Sequence, residues 1–154
     1  MGNIILLTES EKRIENYLEE ILIKTGAQQI FLAAKSGEVL VFSGAKPKKK
    51  LDSITALLVG AFNATEKLAE LINETYFTQF FIKGKKWNVL YHNIESQFLL
   101  VALFKEETLL GPVRVLLEEL VPKLKEELAI SKKEKPFKFE KLDGEKLMEE
   151  LFKK

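Results

Sequence analysis

Seven consecutive apolar residues, Phe98-Leu99-Leu100-Val101-Ala102-Leu103-Phe104, constrain this chain more than any other feature. Successive side chains of a strand point to opposite faces of its sheet. A strand that is apolar at both parities must therefore be covered on both faces, which makes this segment a central strand. Ile30-Phe31-Leu32-Ala33-Ala34 and Val39-Leu40-Val41-Phe42 carry the same signature. The chain must then fold as a sheet inside a layered domain, with helices supplying the outer layers.

The helices are legible around that sheet. Ile14, Tyr17, Leu18, Ile21 and Leu22 recur at the spacing of one helical face, after a Thr8-x-x-Glu11 capping box and before a Gly26 stop. Strands over Gln29–Ala34 and Val39–Ser43 follow, joined by a Lys35-Ser36-Gly37-Glu38 hairpin turn. A basic loop, Lys46-Pro47-Lys48-Lys49-Lys50, leads to a long helix capped by Asp52 and running to about Ile72. Three further strands are expected at Phe77–Ile82, Trp87–His92 and Gln97–Phe104. Gly111-Pro112 opens a third helix, with Val113, Leu116, Leu117, Leu120 and Leu124 inward and a kink expected at Pro122. Residues 1–130 read as one domain. Residues 131–154 read as a linker followed by a short amphipathic helix carrying Leu147, Met148, Leu151 and Phe152.

Composition removes several function classes. Basic and acidic residues number 24 and 23, a balance unsuited to a general nucleic-acid binder. There is no cysteine, which excludes disulfides, thiolate chemistry and Cys-based zinc sites. His92 is the only histidine, so a multi-histidine metal site is excluded as well. The segment Met1–Leu7 lacks the basic start of a signal peptide, and no apolar run reaches the length of a membrane span. A cytoplasmic protein is expected. The lysine and glutamate enrichment suggests a thermophilic source. No P-loop, dinucleotide fingerprint, HExxH or GxSxG motif occurs. Neither a catalytic constellation nor a cofactor site is expected. The Lys46–Lys50 loop is read as a solvated loop, with binding of phosphate or an acidic partner as the alternative.

The second helix is unusual for what it lacks. From Ser53 to Thr65 no residue is charged. Ile54, Leu57, Leu58, Ala61, Thr65, Leu68 and Ile72 read as its core stripe. The opposite side, where charge is expected, carries Ala56, Val59, Gly60, Asn63 and Ala64, with Lys67 beyond. A helix apolar nearly all round is covered nearly all round. The cover is either a segment of the same chain or a partner, and the small residues Ala56, Gly60 and Ala64, four apart, let another backbone approach closely.

The order helix, two strands, helix, three strands, helix resembles the roadblock / dynein light chain domain. The similarity is carried by Phe31–Leu40 with its Gly37 turn, by the alanine-rich helix from Leu51 to Ile72, and by Leu110-Gly111-Pro112-Val113-Arg114. It spans about residues 10–130 and is strongest toward the bacterial mutual gliding-motility B type. The resemblance implies an α+β fold, a five-stranded antiparallel sheet with the second helix on one face and the first and third on the other. It implies dimers formed through that helix and the third strand, here with Phe77, Gln79 and Phe81. It also implies a platform or activator for a small Ras-like GTPase, non-enzymatic by itself. Ala56, Val59, Gly60, Asn63, Ala64 and Lys67 are then the partner-binding residues, and Leu147, Met148, Leu151 and Phe152 a second contact. Two other readings stay open: a dimeric scaffold without effect on hydrolysis, and a PAS- or GAF-like sensor with a pocket around Trp87, Tyr91 and Phe98.

Overall fold

The computed structural model describes residues 6 and 8–142, with side chains through residue 129. Its elements are α1 (Thr8–Thr25), β1 (Gln29–Ala34), β2 (Val39–Gly44), α2 (Lys48–Leu71), β3 (Gln79–Lys83), β4 (Trp87–Ile94), β5 (Phe98–Lys105) and α3 (Leu110–Leu142). The five strands form one antiparallel sheet in the order β2-β1-β5-β4-β3. The fully apolar β5 is central, and it is buried at every position except Lys105.

The strand alternation sorts two cores onto the two faces. Ile30, Leu32, Leu90, Leu100 and Phe104 meet Ile14, Leu18 and Ile21 of α1 and Val113, Leu117 and Leu124 of α3. Phe31, Ala33, Tyr91, Leu99 and Val101 meet Leu51, Leu58 and Phe62 of α2. Each such Val, Leu, Ile or Phe side chain contributes roughly 1.5–3 kcal/mol on burial. The α+β architecture expected from the sequence is the one present.

Local signals explain the connections. Gly26 and Gly37 adopt φ of +80° and +106°, as a helix stop and a tight hairpin require. Arg13 and Glu127 form a two-pronged ion pair at 2.6 and 3.0 Å that ties α1 to α3. The Arg13 hydrogen bond holds the Glu127 carboxyl below its ordinary range against the opposing effect of burial.

Several expectations shift. β3 starts at Gln79, so Phe77 precedes the strand, and its carbonyl accepts a hydrogen bond from Asn93 Nδ2 at 3.0 Å. α2 starts at Lys48 behind Pro47, and no side chain caps it. Asp52 is therefore not its cap. Its Oδ1 accepts from the Val39 backbone N–H at 3.2 Å, joining the helix to the β2 edge. Lys48, Lys49 and Lys50 belong to the helix's first turn rather than to a loop. α3 begins at Leu110, two residues before Pro112, and runs unbroken past Pro122 as far as Leu142. The stretch expected as a linker is thus helical to that point. Leu147, Met148, Leu151 and Phe152 lie outside the described residues.

Candidate partner-binding face

The phase of α2 decides what it exposes. Leu51, Thr55, Leu58, Phe62 and Ala69 face the sheet. Phe62 is the anchor: its ring meets Phe80 edge-on at 5.7 Å, and the Lys35 ammonium lies 4.9 Å from its centroid. Thr55 is buried in full because its hydroxyl donates to the Leu51 carbonyl at 2.8 Å, leaving its methyl to pack. Phe62 and Thr55 fix a rotation different from the expected stripe. Leu58 stays inward, Ile54 and Thr65 become flanking, and Leu57, Ala61, Leu68 and Ile72 are exposed.

The outer face is therefore more apolar than the sequence reading expected. Ala56, Gly60, Asn63, Ala64 and Lys67 are exposed and Val59 is half-buried. Leu57 (77% exposed) and Leu71 (82%) join them. A Cβ placed on Gly60 would meet no atom within 4 Å, so the row is open on this chain's side. No described segment of the chain covers it.

The neighbouring sheet edge is open too. β3 is terminal in the strand order, and its residues run from half-buried to exposed. Its outer backbone groups have no strand partner among the described residues, which is the condition for pairing with another chain. The side chains divide by parity. Phe80 and Ile82 lie on the α2 side, with Phe80 stacked on Tyr91 at 4.7 Å and Ile82 48% exposed. Gln79 and Phe81 lie on the α3 side. Gln79 accepts a hydrogen bond from Arg114 Nε and donates to Glu118 at 3.4 Å, and Phe81 stacks on Phe104 at 6.4 Å. Two of the strand residues expected at a dimer interface thus point away from α2, and Ile82, which the sequence reading did not single out, points toward it.

Other candidates are placed elsewhere. Trp87 and Tyr91 pack on the α2 face, whereas Phe98 belongs to the core beneath α1 and α3. Strand alternation separates these aromatics, so they do not line one pocket. His92 is buried on the α3 side, with neither ring nitrogen bonded to a protein group among the described residues. Burial lowers its pKa, while Glu118 raises it and Arg114 lowers it. Arg13 and Arg114, the only arginines, are both occupied within the chain.

A model of the Roadblock/LC7 domain family matches residues 13–104, from α1 to the end of the central strand, and the chain belongs to that family. No curated protein sequence matches it significantly. Among solved structures, an MglB with a tetrameric arrangement is 27% identical, with a TM-score of 0.79 over 85% of this chain and 98% of its own. The gliding protein MglB from Thermus thermophilus is 28% identical, with a TM-score of 0.77 over 84% and 98%. Myxococcus xanthus MglB is 27% identical, with a TM-score of 0.68 over 73% and 91%. Family and neighbours support a regulator or adaptor role. No helix of the described residues is long and apolar enough to cross a membrane.

Proposed function

We propose that this chain is a homodimeric regulator of a small Ras-like GTPase, with the outer face of α2 as the platform. The observation that carries the reading is the uncharged, exposed surface from Ser53 to Thr65 beside the unpaired edge of β3. Contiguous apolar surface of this kind belongs to interaction sites, and an unpaired edge suits strand addition. Ala56, Val59, Gly60, Asn63, Ala64 and Lys67 receive the GTPase. The β3 edge with Phe77, Gln79 and Phe81 pairs with a second copy, and Leu57, Leu71 and Ile82 extend that contact. The likeness to an MglB with a tetrameric arrangement supports self-association. Residues 1–130 form the working domain, residues 131–154 extend it, and Leu147, Met148, Leu151 and Phe152 offer a second contact. With a GTPase of this class as its partner, the protein works in the cytoplasm.

Both arginines are engaged within the chain, so activation proceeds by reordering the GTPase's own residues and not by a donated arginine. The same observation favours, as a second reading, a dimeric scaffold that leaves hydrolysis unchanged. Gly60→Arg tests the platform, because the folded chain has room for the side chain while a partner would meet it. The substitution should abolish capture of the GTPase with folding intact, and undiminished capture refutes the surface. Light scattering should give the mass of two chains. Single-turnover GTP hydrolysis with and without the protein separates activator from scaffold.

A further inference from the structure

We propose that the end of the sheet holding the β2–α2 connection and the β3–β4 hairpin is a docking surface for an anionic lipid bilayer. The antiparallel registers bring the last residues of β2, β3 and β5 and the first of β4 to this one end. Three separate segments deliver lysines there. Lys46 is held at this end by its backbone N–H, which donates to Gln29 Oε1. Lys48, Lys49 and Lys50 follow it in the first turn of α2, which leads from there toward Asp52 beside Val39 at the other end of β2. Lys83, Lys85 and Lys86 surround the hairpin, and Lys105 closes β5. All but Lys46 are exposed. Among the described ion pairs only Lys48 has a carboxylate, Asp52 at 3.3 Å.

Trp87 sits among these lysines. Lys46 Nζ lies 4.9 Å from its ring centroid and Lys105 Nζ 5.3 Å. Like charges thus gather on one ring where no carboxylate among the described residues pairs with them. The first turn of α2 adds to this: it contains no acidic residue, and its orphan N–H groups carry the positive end of the helix dipole. Isolated, such an arrangement repels itself, and an external anion relieves it.

The features select a bilayer over other polyanions. Lysine, a flexible point charge, suits a plane of mobile headgroups; arginine's planar fork is the better match to individual phosphates. Trp87 is already engaged by two ammonium groups and is not free to stack on a nucleobase. Leu109 (70% exposed) leads off from the same end. An exposed apolar side chain near lysines matches the interfacial layer of a membrane. Glu106 and Glu107, both exposed, follow Lys105 at this end, and the lysines from the three segments outnumber them; the net charge of only +1 is reached through acidic residues elsewhere. Glu9, Glu11, Glu15 and Glu19, exposed on α1, are among them. From its first turn α2 leads away from this end, with Asp52 beside Val39 of β2 and Phe62 beside Phe80 of β3, so docking leaves its outer face open.

Trp87 is the only tryptophan, and it reports on the patch directly. The test uses the full chain with vesicles of phosphatidylcholine alone or with phosphatidylserine, scored by co-sedimentation and by Trp87 quenching with brominated lipid. Binding and quenching should require phosphatidylserine. The triple variant Lys49→Glu, Lys85→Glu, Lys86→Glu should weaken binding by about 100-fold or more, from roughly fivefold per basic residue. Glutamate at position 49 favours the helix dipole, so the variant should keep its fold, as circular dichroism checks. The control Lys12→Glu, Lys125→Glu should change binding less than about threefold. Absence of binding, equal binding to neutral vesicles, or full binding by the triple variant overturns the proposal. Tighter binding to duplex DNA or polyglutamate than to vesicles also overturns it and reassigns the patch to that partner.

Discussion

α1 and α2 solve the same packing problem and present opposite outer surfaces. Each lays an apolar stripe on one face of the sheet, Ile14, Leu18 and Ile21 in α1 and Leu51, Leu58 and Phe62 in α2. Away from the sheet, α1 shows Glu11, Glu15 and Glu19, whereas α2 shows Ala56, Leu57, Gly60 and Ala64. The inner stripes are dictated by the shared sheet. The outer surfaces are not, and the difference between them marks where the molecule meets something else. The sheet edges repeat the contrast: β2 lies under α1 and is fastened to α2 by a backbone hydrogen bond to Asp52, while no described helix bonds to the backbone of β3.

The largest effects should come from setting the inner face of α2 against its outer face. Phe62→Ala removes a ring that is 1% exposed and should cost about 3–4 kcal/mol in urea denaturation. Leu57→Ala on the same helix should stay within about 0.5 kcal/mol at concentrations low enough to keep the chain monomeric. Equal losses at the two positions would break the distinction between the faces.

The fastening of α1 to α3 should show a smaller effect, dependent on pH. The carboxyl of Glu127 is held below its ordinary range, so its contribution is fully present above the unfolded value near 4.3 and is lost as pH falls through the lower folded value. Glu127→Gln should lower the melting temperature at pH 7 by about 4 °C and flatten the acid limb below about pH 4. A variant that melts like the wild type at every pH would leave Arg13–Glu127 with no part in holding α1.

His92 gives the same sign by a different route. Its folded pKa is lowered chiefly by burial, so between that value and about 6.5 the unfolded chain binds more protons and stability falls as pH falls. Its neighbours Glu118 and Arg114 oppose one another. Both ring nitrogens lack protein partners among the described residues, so His92→Leu should raise stability at neutral pH by about 1 kcal/mol and remove that part of the pH slope. A loss of stability would mean that the ring is bonded after all.

The sequence carried the layers of this fold further than it carried the faces of the site. Strands apolar at both parities announced a covered sheet, and the Gly26 and Gly37 positions announced their turns. The uncharged stretch from Ser53 to Thr65 was visible as a deficit. Its orientation was not, because leucines at positions 57, 58 and 68 allow two rotations of α2. Choosing between them requires knowing that Phe62 fills the space beside Phe80 and Tyr91, a contact between segments far apart in sequence. The parity of β3 was hidden for a related reason: which face Gln79 and Phe81 take is set by their pairing with His92 and Leu90 of β4, not by any local pattern. Lysines from three segments meet at one end only through the strand registers, so no local motif announces them.

The smallest effect is the most discriminating for α2. Gly60 lies inside a helix, where glycine costs up to about 1 kcal/mol relative to alanine. An added Cβ meets nothing within 4 Å, so Gly60→Ala should stabilise the isolated chain by about 0.5–1 kcal/mol. If a second copy or a GTPase packs backbone-close on the Ala56-Gly60-Ala64 row, the same methyl group obstructs it. The gain should then be present at low protein concentration and shrink or reverse as the chain associates, because association stabilises by mass action only the form that still fits. Melting curves over a hundredfold range of concentration distinguish the cases. A constant gain at all concentrations would mean that the row is no part of the self-association contact, leaving β3, Leu57 and Leu71 to carry the dimer and the small-residue row free for the GTPase.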